Sequence, residues 1–136
     1  MIYLLDTNAC IVYLNRPMSG VRQRLQSVSP QDVAVCSVVK AELFYGAMRS
    51  NNPVLTLAKQ EAFLNNFVSL PFDDLAATIF SRIRAELTSL GTPIGPYDLQ
   101  IAAIALGHQL TLVTHNTREF VRVKGLQIED WEEESQ

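Results

Sequence analysis

The fold is decided by a short stretch at the start of the chain, Met1-Ile2-Tyr3-Leu4-Leu5-Asp6-Thr7-Asn8. Its apolar part, residues 2–5, is too short for a stable helix and is typical of a strand buried on both faces, as in a parallel sheet covered by helices. Asp6 ends this run at the position where open α/β sheets bind their ligands, the carboxyl end of a strand. Asp6 is therefore either a metal ligand or only the N-cap of the following helix, and this stretch alone does not separate the two.

The composition is that of an ordinary globular protein. Of its 136 residues 48% are hydrophobic and 18% are charged, which predicts one domain with a core of its own, residues 1–131, followed by a solvated acidic tail, 132–136. No apolar run approaches the roughly 18 residues of a membrane span, and no signal peptide is evident. We therefore expect a cytoplasmic protein in which Cys10 and Cys36 are reduced core thiols; a disulfide between them is the alternative.

The net charge of −3 and the pI near 5.3 argue against a protein that holds DNA through a broad basic surface. They do not exclude a nucleic-acid enzyme. Carboxylates concentrated around bound cations would lower the net charge without repelling a phosphate substrate.

Strand and helix patterns alternate along the chain. Further strands are predicted at 33–36, 70–72, 110–113 and, at an edge of the sheet, 126–129. The first two helices are predicted at 8–15 and directly after an N-cap at Ser19. Four more are predicted at 38–49, 54–68, 74–90 and 97–105, and Gly91 closes the helix that ends at residue 90. The fold class is therefore a three-layer α/β/α sandwich with a mainly parallel sheet of four to five strands.

Two further carboxylates lie at helix starts that face the same edge of the sheet as Asp6. Glu42 lies beside the buried stripe of a helix that follows a strand directly, although Glu on a helix is more often solvated. Asp98 lies in the first turn of an Ala-rich helix, after the rigid stretch Gly91-Thr92-Pro93-Ile94-Gly95-Pro96. The helix dipole alone would favour an acid there, but the rigid loop favours a ligand role.

Asp6, Glu42 and Asp98 should thus converge, with Asn116 and Glu119 on the loop that closes the group. Clustered carboxylates repel each other unless protons or cations intervene. An all-oxygen ligand set suits Mg²⁺ or Mn²⁺, whereas zinc would call for Cys or closely spaced His.

Hard divalent ions in such clusters typically serve phosphoryl chemistry. The chain has no P-loop and no Gly-x-Gly-x-x-Gly pattern, so the predicted site is hydrolytic. A phosphatase with Asp6 as nucleophile would need an Asp at the position of Asn8, and a receiver module would need an acidic pair near the first strand. The sequence has neither feature, so both classes are disfavoured.

Four segments, taken together, resemble the PIN-domain ribonucleases, specifically the VapC-type toxins of bacterial toxin–antitoxin pairs. They are Leu4-Leu5-Asp6-Thr7-Asn8, Ala41-Glu42-Leu43-Phe44-Tyr45-Gly46, Pro93-Ile94-Gly95-Pro96-Tyr97-Asp98-Leu99-Gln100-Ile101-Ala102-Ala103 and Val113-Thr114-His115-Asn116-Thr117-Arg118-Glu119-Phe120. The resemblance extends from Met1 to about Trp131.

The resemblance implies an endoribonuclease that depends on Mg²⁺ or Mn²⁺, cuts structured RNA, often tRNA, and so stops translation. Asp6, Glu42 and Asp98 would be catalytic and hold the metal. Thr7 and Thr114 would orient the carboxylates, with Asn8 supporting the first turn. Such toxins are usually homodimers silenced by a VapB-type antitoxin, and the chain would reach promoter DNA only through that partner. A non-catalytic PIN-fold module that binds RNA or protein is the alternative.

The chain departs from the family pattern at Asn116, where many members carry a fourth acid. An amide can ligate a metal but adds no charge, so a second tightly held metal is in doubt. Glu119 could supply the missing charge, or could instead pair with Arg118 or Arg122 at the surface. Candidate RNA contacts are Lys40, Arg118 and Tyr97, the last of which could also be a core residue.

Overall fold

A five-stranded sheet forms the centre of the computed structural model, which describes residues 1–132. Its strands are β1 (Tyr3–Leu5), β2 (Val33–Cys36), β3 (Val68–Leu70), β4 (Thr111–Val113) and β5 (Ile128–Glu129). They lie in the order β3-β2-β1-β4-β5, and every neighbouring pair is parallel. The predicted parallel α/β architecture is therefore confirmed, with β1 as the central strand.

Helices connect the strands and cover the sheet. They are α1 (Thr7–Asn15), α2 (Gly20–Ser27), α3 (Ser37–Met48), α4 (Pro53–Leu64), α5 (Asp74–Ser89), α6 (Pro96–Gly107) and α7 (Thr117–Phe120), with a 3-10 turn at Pro30–Asp32 before β2. The helix α6 packs on α5, and α3 packs on α4. Burial of Leu99 and of residues 101–105 makes α6 the most enclosed of these helices, because its small alanines allow close approach on several sides.

The apolar run at the start of the chain forms the strand that its sequence predicts. Leu4 lies opposite Ala34 of β2 and Leu112 of β4, and Leu4 and Leu5 are fully buried. The chain adds β2 and β3 on one side of β1, and then β4 and β5 on the other. This reversal of strand order occurs between β1 and β4, and the carboxyl ends of such strands are where sheets of this type bind their ligands.

The expected helix over 54–68 and strand over 70–72 are wrong in their bounds. The helix α4 already ends at Leu64, because the side chain of Asn66 turns back to donate hydrogen bonds to the carbonyls of Ala62 and Phe63. The chain then enters β3 at Val68, which pairs with Ala34. A local hydrogen bond from an Asn side chain thus ended a helix that the apolar pattern would have continued.

The turn-rich segment between α5 and α6 fixes the start of α6. Gly91 has φ +73° and follows the C-cap Leu90, and the amide of Thr92 donates to the carbonyl of Leu87 at 2.9 Å. This geometry confirms Gly91 as the residue that closes α5. Pro96 occupies the first turn of α6, where its fixed φ favours helix initiation.

Three other expectations concern the thiols, the membrane and the tail. Cys10 and Cys36 are both free and buried, as predicted. Among the described residues, no helix is long and apolar enough to cross a membrane. Glu132, expected in a solvated tail, is instead half-buried, and residues 133–136 of that predicted tail lie outside the described part of the chain.

Candidate active site

Asp6 occupies the junction between β1 and α1, where it is only 4% exposed. One carboxylate oxygen, Oδ1, accepts a hydrogen bond from the amide of Ala9 at 2.8 Å, so Asp6 is the N-cap of α1. The side chain of Thr114, at the end of β4, lies near enough to this carboxylate to lower its pKa. Capping and a ligand role are thus compatible, since both contacts fix the orientation of the carboxylate.

The surroundings of Asp6 disfavour the charged form of its carboxylate, as its raised pKa indicates. Burial raises the pKa from 3.8 to about 6, against the opposing effect of the hydrogen bonds from Thr114 and Ala9. The negative charges of Asp98 and Glu132 raise it further. A buried acid that is repelled by neighbouring acids is a position that a cation would stabilise.

Glu42 lies in the second turn of α3, directly after β2, and is half-buried. The hydroxyl of Thr7, the first residue of α1, donates to Glu42 Oε1 at 2.6 Å. This short hydrogen bond joins the carboxyl ends of β1 and β2. Glu42 is therefore held against the start of α1, unlike the solvated helix residue that its sequence position also allowed.

Asp98 lies in the first turn of α6 and is half-buried. Its pKa is raised, first by burial and then by the negative charges of Glu42 and Glu119. Because Asp98 also raises the pKa of Asp6, its carboxylate interacts electrostatically with acids from three other elements.

Asn116 and Glu119 close the group from the segment after β4. The amide Nδ2 of Asn116 donates to Glu119 Oε2 at 3.0 Å, and the backbone amide of Asn116 donates to Thr114 Oγ1 at 3.0 Å. Among the described residues, Glu119 forms no ion pair with Arg118 or Arg122. Glu119 is therefore oriented toward Asn116 and lies within electrostatic reach of Asp98.

The sheet thus brings four carboxylates to one edge, from β1, α3, α6 and α7. Burial, and to a smaller extent repulsion from the other acids, raises the pKa of Asp6 and Asp98, so a bound proton or cation would stabilise the cluster. The donor atoms are all oxygens, which suits a divalent hard metal ion. Such an arrangement can neutralise the charge of a phosphate and activate water beside it.

The other predicted site residues lie around this edge with different exposures. Asn8, the second residue of α1, is exposed. Tyr97 is 58% exposed, so the alternative that it is a core residue is wrong. Lys40 on α3 is half-buried and Arg118 on α7 is exposed. Their contacts with RNA stay a prediction.

Sequence reasoning missed the contribution of the C-terminal segment. Trp131 is buried and packs edge-on against Tyr3 of β1, with ring centroids 5.0 Å apart. It anchors Glu132 close enough for its negative charge to act on Asp6. An apolar Trp within a run of acids was the available signal that this run is not simply a solvated tail.

Comparison with known proteins identifies the family of the chain. The PIN domain family model matches residues 3–126. The tRNA(fMet)-specific endonuclease VapC of Shigella flexneri is 43% identical over 129 residues, which cover 95% of this chain and 97% of the relative. The protein of the same name from Salmonella typhimurium is 40% identical, with the same coverage.

Solved structures give the same result for the fold. The chain superposes with a TM-score of 0.91 on a chain of DNA-bound VapBC from Salmonella typhimurium, at 40% identity and covering 96% of this chain and 98% of that one. For VapBC2 from Rickettsia felis, bound to a promoter DNA fragment, the TM-score is 0.90 at 33% identity, with 96% and 99% covered. The chain therefore belongs to the PIN domain family, among the VapC ribonucleases.

Proposed function

We propose that this chain is an endoribonuclease toxin that uses Mg²⁺ or Mn²⁺, with Asp6, Glu42 and Asp98 as the metal ligands and catalytic residues. Asn116 and Glu119 complete the ligand set from the segment after β4. The observation that supports the proposal most strongly is the convergence of carboxylates from separate elements, with the pKa of Asp6 raised to about 6. Repulsion between carboxylates destabilises the metal-free fold, whereas a divalent cation bound between them would be attracted by the same negative charges.

A divalent ion bound by these residues would lower the pKa of a coordinated water and neutralise charge that develops on the scissile phosphate. The protein would hold such an ion through the carboxylates of Asp6, Glu42 and Asp98, and hydrogen bonds orient two of these side chains. Thr114 and the amide of Ala9 orient Asp6, and Thr7 orients Glu42. Because these contacts fix the side chains of Asp6 and Glu42, both ligands would be ordered before a metal binds.

Glu119 adds a fourth negative charge at a position where it acts on Asp98. Asn116, which donates its amide to Glu119, can offer its carbonyl oxygen to the metal or to a water. We therefore propose one firmly held metal ion, with Glu119 in place of the acid that many family members carry at the position of Asn116.

The substrate is structured RNA, and tRNA is the first candidate because the relatives from Shigella and Salmonella are named tRNA(fMet)-specific endonucleases. Tyr97, Arg118 and Lys40 lie near the carboxylates on α6, α7 and α3 and would contact the RNA. Cleavage of tRNA would stop translation in the bacterial cytoplasm.

A VapB-type antitoxin would neutralise the chain and carry the complex to promoter DNA, as the structures of DNA-bound VapBC complexes suggest. A homodimer of the toxin is expected within that complex.

The test is cleavage of a total tRNA pool by the purified chain with Mg²⁺ or Mn²⁺, with and without a chelator. Asp98→Asn is the critical variant. Asp74→Asn is its matched control, because Asp74 also lies in the first turn of a helix but is exposed. Both changes remove the same favourable charge from a helix N-terminus, and only the first removes a site carboxylate.

We expect metal-dependent cuts at one or a few positions, lost with chelator and in Asp98→Asn but retained in Asp74→Asn. Equal cleavage by Asp98→Asn and the wild type would remove Asp98 from the site. If the wild type cuts neither tRNA nor messenger or ribosomal RNA with either metal, the endonuclease proposal itself is wrong.

A further inference from the structure

A second group of potential metal ligands lies beside the carboxylate cluster. His115, at the end of β4, faces Asp130 and Glu132 of the C-terminal segment. Its Nδ1 lies 2.9 Å from Asp130 Oδ2 and 3.9 Å from Glu132 Oε2. One nitrogen or oxygen from each of the three side chains lies within 4.8 Å of the other two. None of them belongs to the ligand set proposed above.

This spacing fits a transition-metal ion. In tetrahedral zinc sites, with metal–ligand bonds of about 2.0–2.2 Å, neighbouring ligand atoms are roughly 3.4 Å apart. The observed separations bracket that value, so small side-chain rotations would bring all three atoms into place. The donor set also differs in kind from the carboxylate cluster, since an imidazole nitrogen favours zinc and similar ions over Mg²⁺.

Both carboxylates are held in position by the fold. The side chains of Asp130 and Glu132 are only 10% and 19% exposed. The other oxygen of Asp130, Oδ1, accepts from the backbone amide of Glu132 at 2.9 Å. Between them, the buried Trp131 donates through Nε1 to Glu129 Oε1 at 3.0 Å. The two acids are therefore shielded and anchored, unlike the mobile acids of a solvated surface.

We propose that His115, Asp130 and Glu132 form a second metal site, which binds Zn²⁺ or a similar divalent transition-metal ion. Zinc binds an unprotonated imidazole nitrogen, so any proton on that nitrogen would be released to solvent and zinc affinity would increase with pH. The ion would join the C-terminal segment to the end of β4. Because it binds the folded chain, it should also raise the temperature of unfolding.

The chain contains only two histidines, which provides an internal control. His108 is exposed at the C-cap of α6, before β4 begins, whereas His115 follows the end of β4. The two imidazoles therefore lie toward opposite edges of the sheet. Zinc can be titrated into the isotope-labelled Asp98→Asn variant in excess Mg²⁺, with the imidazole nitrogens followed by NMR.

We expect one equivalent of zinc to shift the resonances of His115 and to leave those of His108 unchanged. By calorimetry under the same conditions, His115→Ala and Asp130→Asn should weaken zinc binding at least tenfold, whereas His108→Ala should not change it. Asn at position 130 can still accept from the amide of Glu132, so its effect would not come from loss of the turn.

Equal zinc affinity in His115→Ala and in the parent protein would overturn the proposal. Equal perturbation of both histidines would do the same, because it would show only non-specific binding to exposed imidazole. These measurements use no RNA, so their outcome is independent of whether the chain is an endoribonuclease.

Discussion

The helices α1 and α5 begin in the same way but in different surroundings. Asp6 and Asp73 are both N-caps, and each accepts a hydrogen bond from the amide three residues later, at 2.8 and 2.9 Å. Asp6 follows the central strand and is buried, whereas Asp73 follows the edge strand β3 and is exposed. The capping geometry is local and identical. What distinguishes a site carboxylate is its position in the sheet and the other acids that the sheet brings to it.

The same contrast holds for the acids in the first turns of α6 and α5. Asp98 and Asp74 both lie in the first turn of their helices, where the helix dipole favours an acid. Asp98 is half-buried, and its pKa is raised first by this burial and then by the charges of Glu42 and Glu119, whereas Asp74 is exposed. Each pair therefore provides a site residue and a structural counterpart of the same chemistry, which allows the two roles to be separated experimentally.

The largest difference should appear in RNA cleavage by Asp6→Asn and Asp73→Asn. Asn is as good an N-cap as Asp, so both variants should fold. We expect Asp6→Asn to lose at least about a hundredfold in cleavage rate, because a bound metal contributes several kcal/mol and each 1.36 kcal/mol is about tenfold. Asp73→Asn should stay within about twofold of the wild type.

The measurement is the single-turnover rate with saturating Mg²⁺ or Mn²⁺, with circular dichroism to verify folding. Comparable losses in the two variants would mean that capping, and not metal binding, accounts for the effect of Asp6. In that case the comparison between the two helices would no longer identify the site.

The second prediction concerns the stability of the metal-free protein as a function of pH. The pKa of Asp6 is about 6 in the folded state, above its ordinary value of 3.8, so the folded chain binds the proton more tightly than the unfolded chain. Its contribution to stability is therefore fully present below about pH 4 and is lost as the pH rises through about 6. Above that range the loss amounts to about 3 kcal/mol, at 1.36 kcal/mol for each pKa unit.

Urea unfolding of the metal-free chain between pH 4 and pH 8 would measure this loss. Asp6→Asn should reduce the decline and should be more stable than the wild type at pH 8, whereas Asp73→Asn should follow the wild-type curve. If Asp6→Asn were less stable than the wild type at pH 8, the carboxylate would not be under repulsion in the folded protein.

Much of the fold could be predicted from local patterns. The central strand, the direct passage from β2 into α3, and the Gly91 turn are each specified by adjacent residues with strong preferences. The end of α4 could not be predicted in this way, because Asn66 determines it through hydrogen bonds to carbonyls that exist only once the helix has formed. The pattern of Leu57, Phe63 and Phe67 would have continued the helix.

The convergence of Asp6, Glu42 and Asp98 could be predicted because parallel strands direct their carboxyl ends to the same edge. The position of Glu132 could not, since a run of acids near the C-terminus is usually solvated. Its proximity to the site depends on the packing of Trp131 against Tyr3, a contact between residues distant in sequence. Tertiary contacts of this kind leave almost no local signal.

The third prediction is that Glu119→Gln lowers the cleavage rate about tenfold, which corresponds to the loss of roughly 1.4 kcal/mol of transition-state stabilisation. Glu119 acts on Asp98, but it lies outside the three central ligands. The pKa of Asp98 should fall toward its ordinary value in this variant, because one of the charges that raises it is removed. Metal titrations should show weaker binding without loss of folding.

Glu61→Gln is the matched control, since Glu61 is exposed on α4. An unchanged cleavage rate in Glu119→Gln would show that Glu119 is a surface residue and not part of the site. Asn116→Asp, combined with Glu119→Gln, tests whether an acid at position 116 can replace Glu119. If Glu119 substitutes for the missing acid, an Asp at position 116 should restore much of the activity that Glu119→Gln loses.

The smallest effect is expected from Thr7→Val, which removes the 2.6 Å hydrogen bond to Glu42 Oε1 and leaves the shape of the side chain almost unchanged. A hydrogen bond from a neutral hydroxyl to a charged carboxylate contributes about 1.5–3 kcal/mol to stability. A bound metal, however, would hold Glu42 in place without this hydrogen bond. We therefore expect about a fivefold weaker apparent metal affinity, with the rate at saturating metal nearly unchanged. Thr78→Val on α5, which loses a hydrogen bond to the carbonyl of Asp74, should change neither quantity. If the rate at saturating metal fell as far as in Asp6→Asn, Thr7 would have a direct part in the chemistry, and the distinction between the carboxylates and the hydroxyls that orient them would have to be revised.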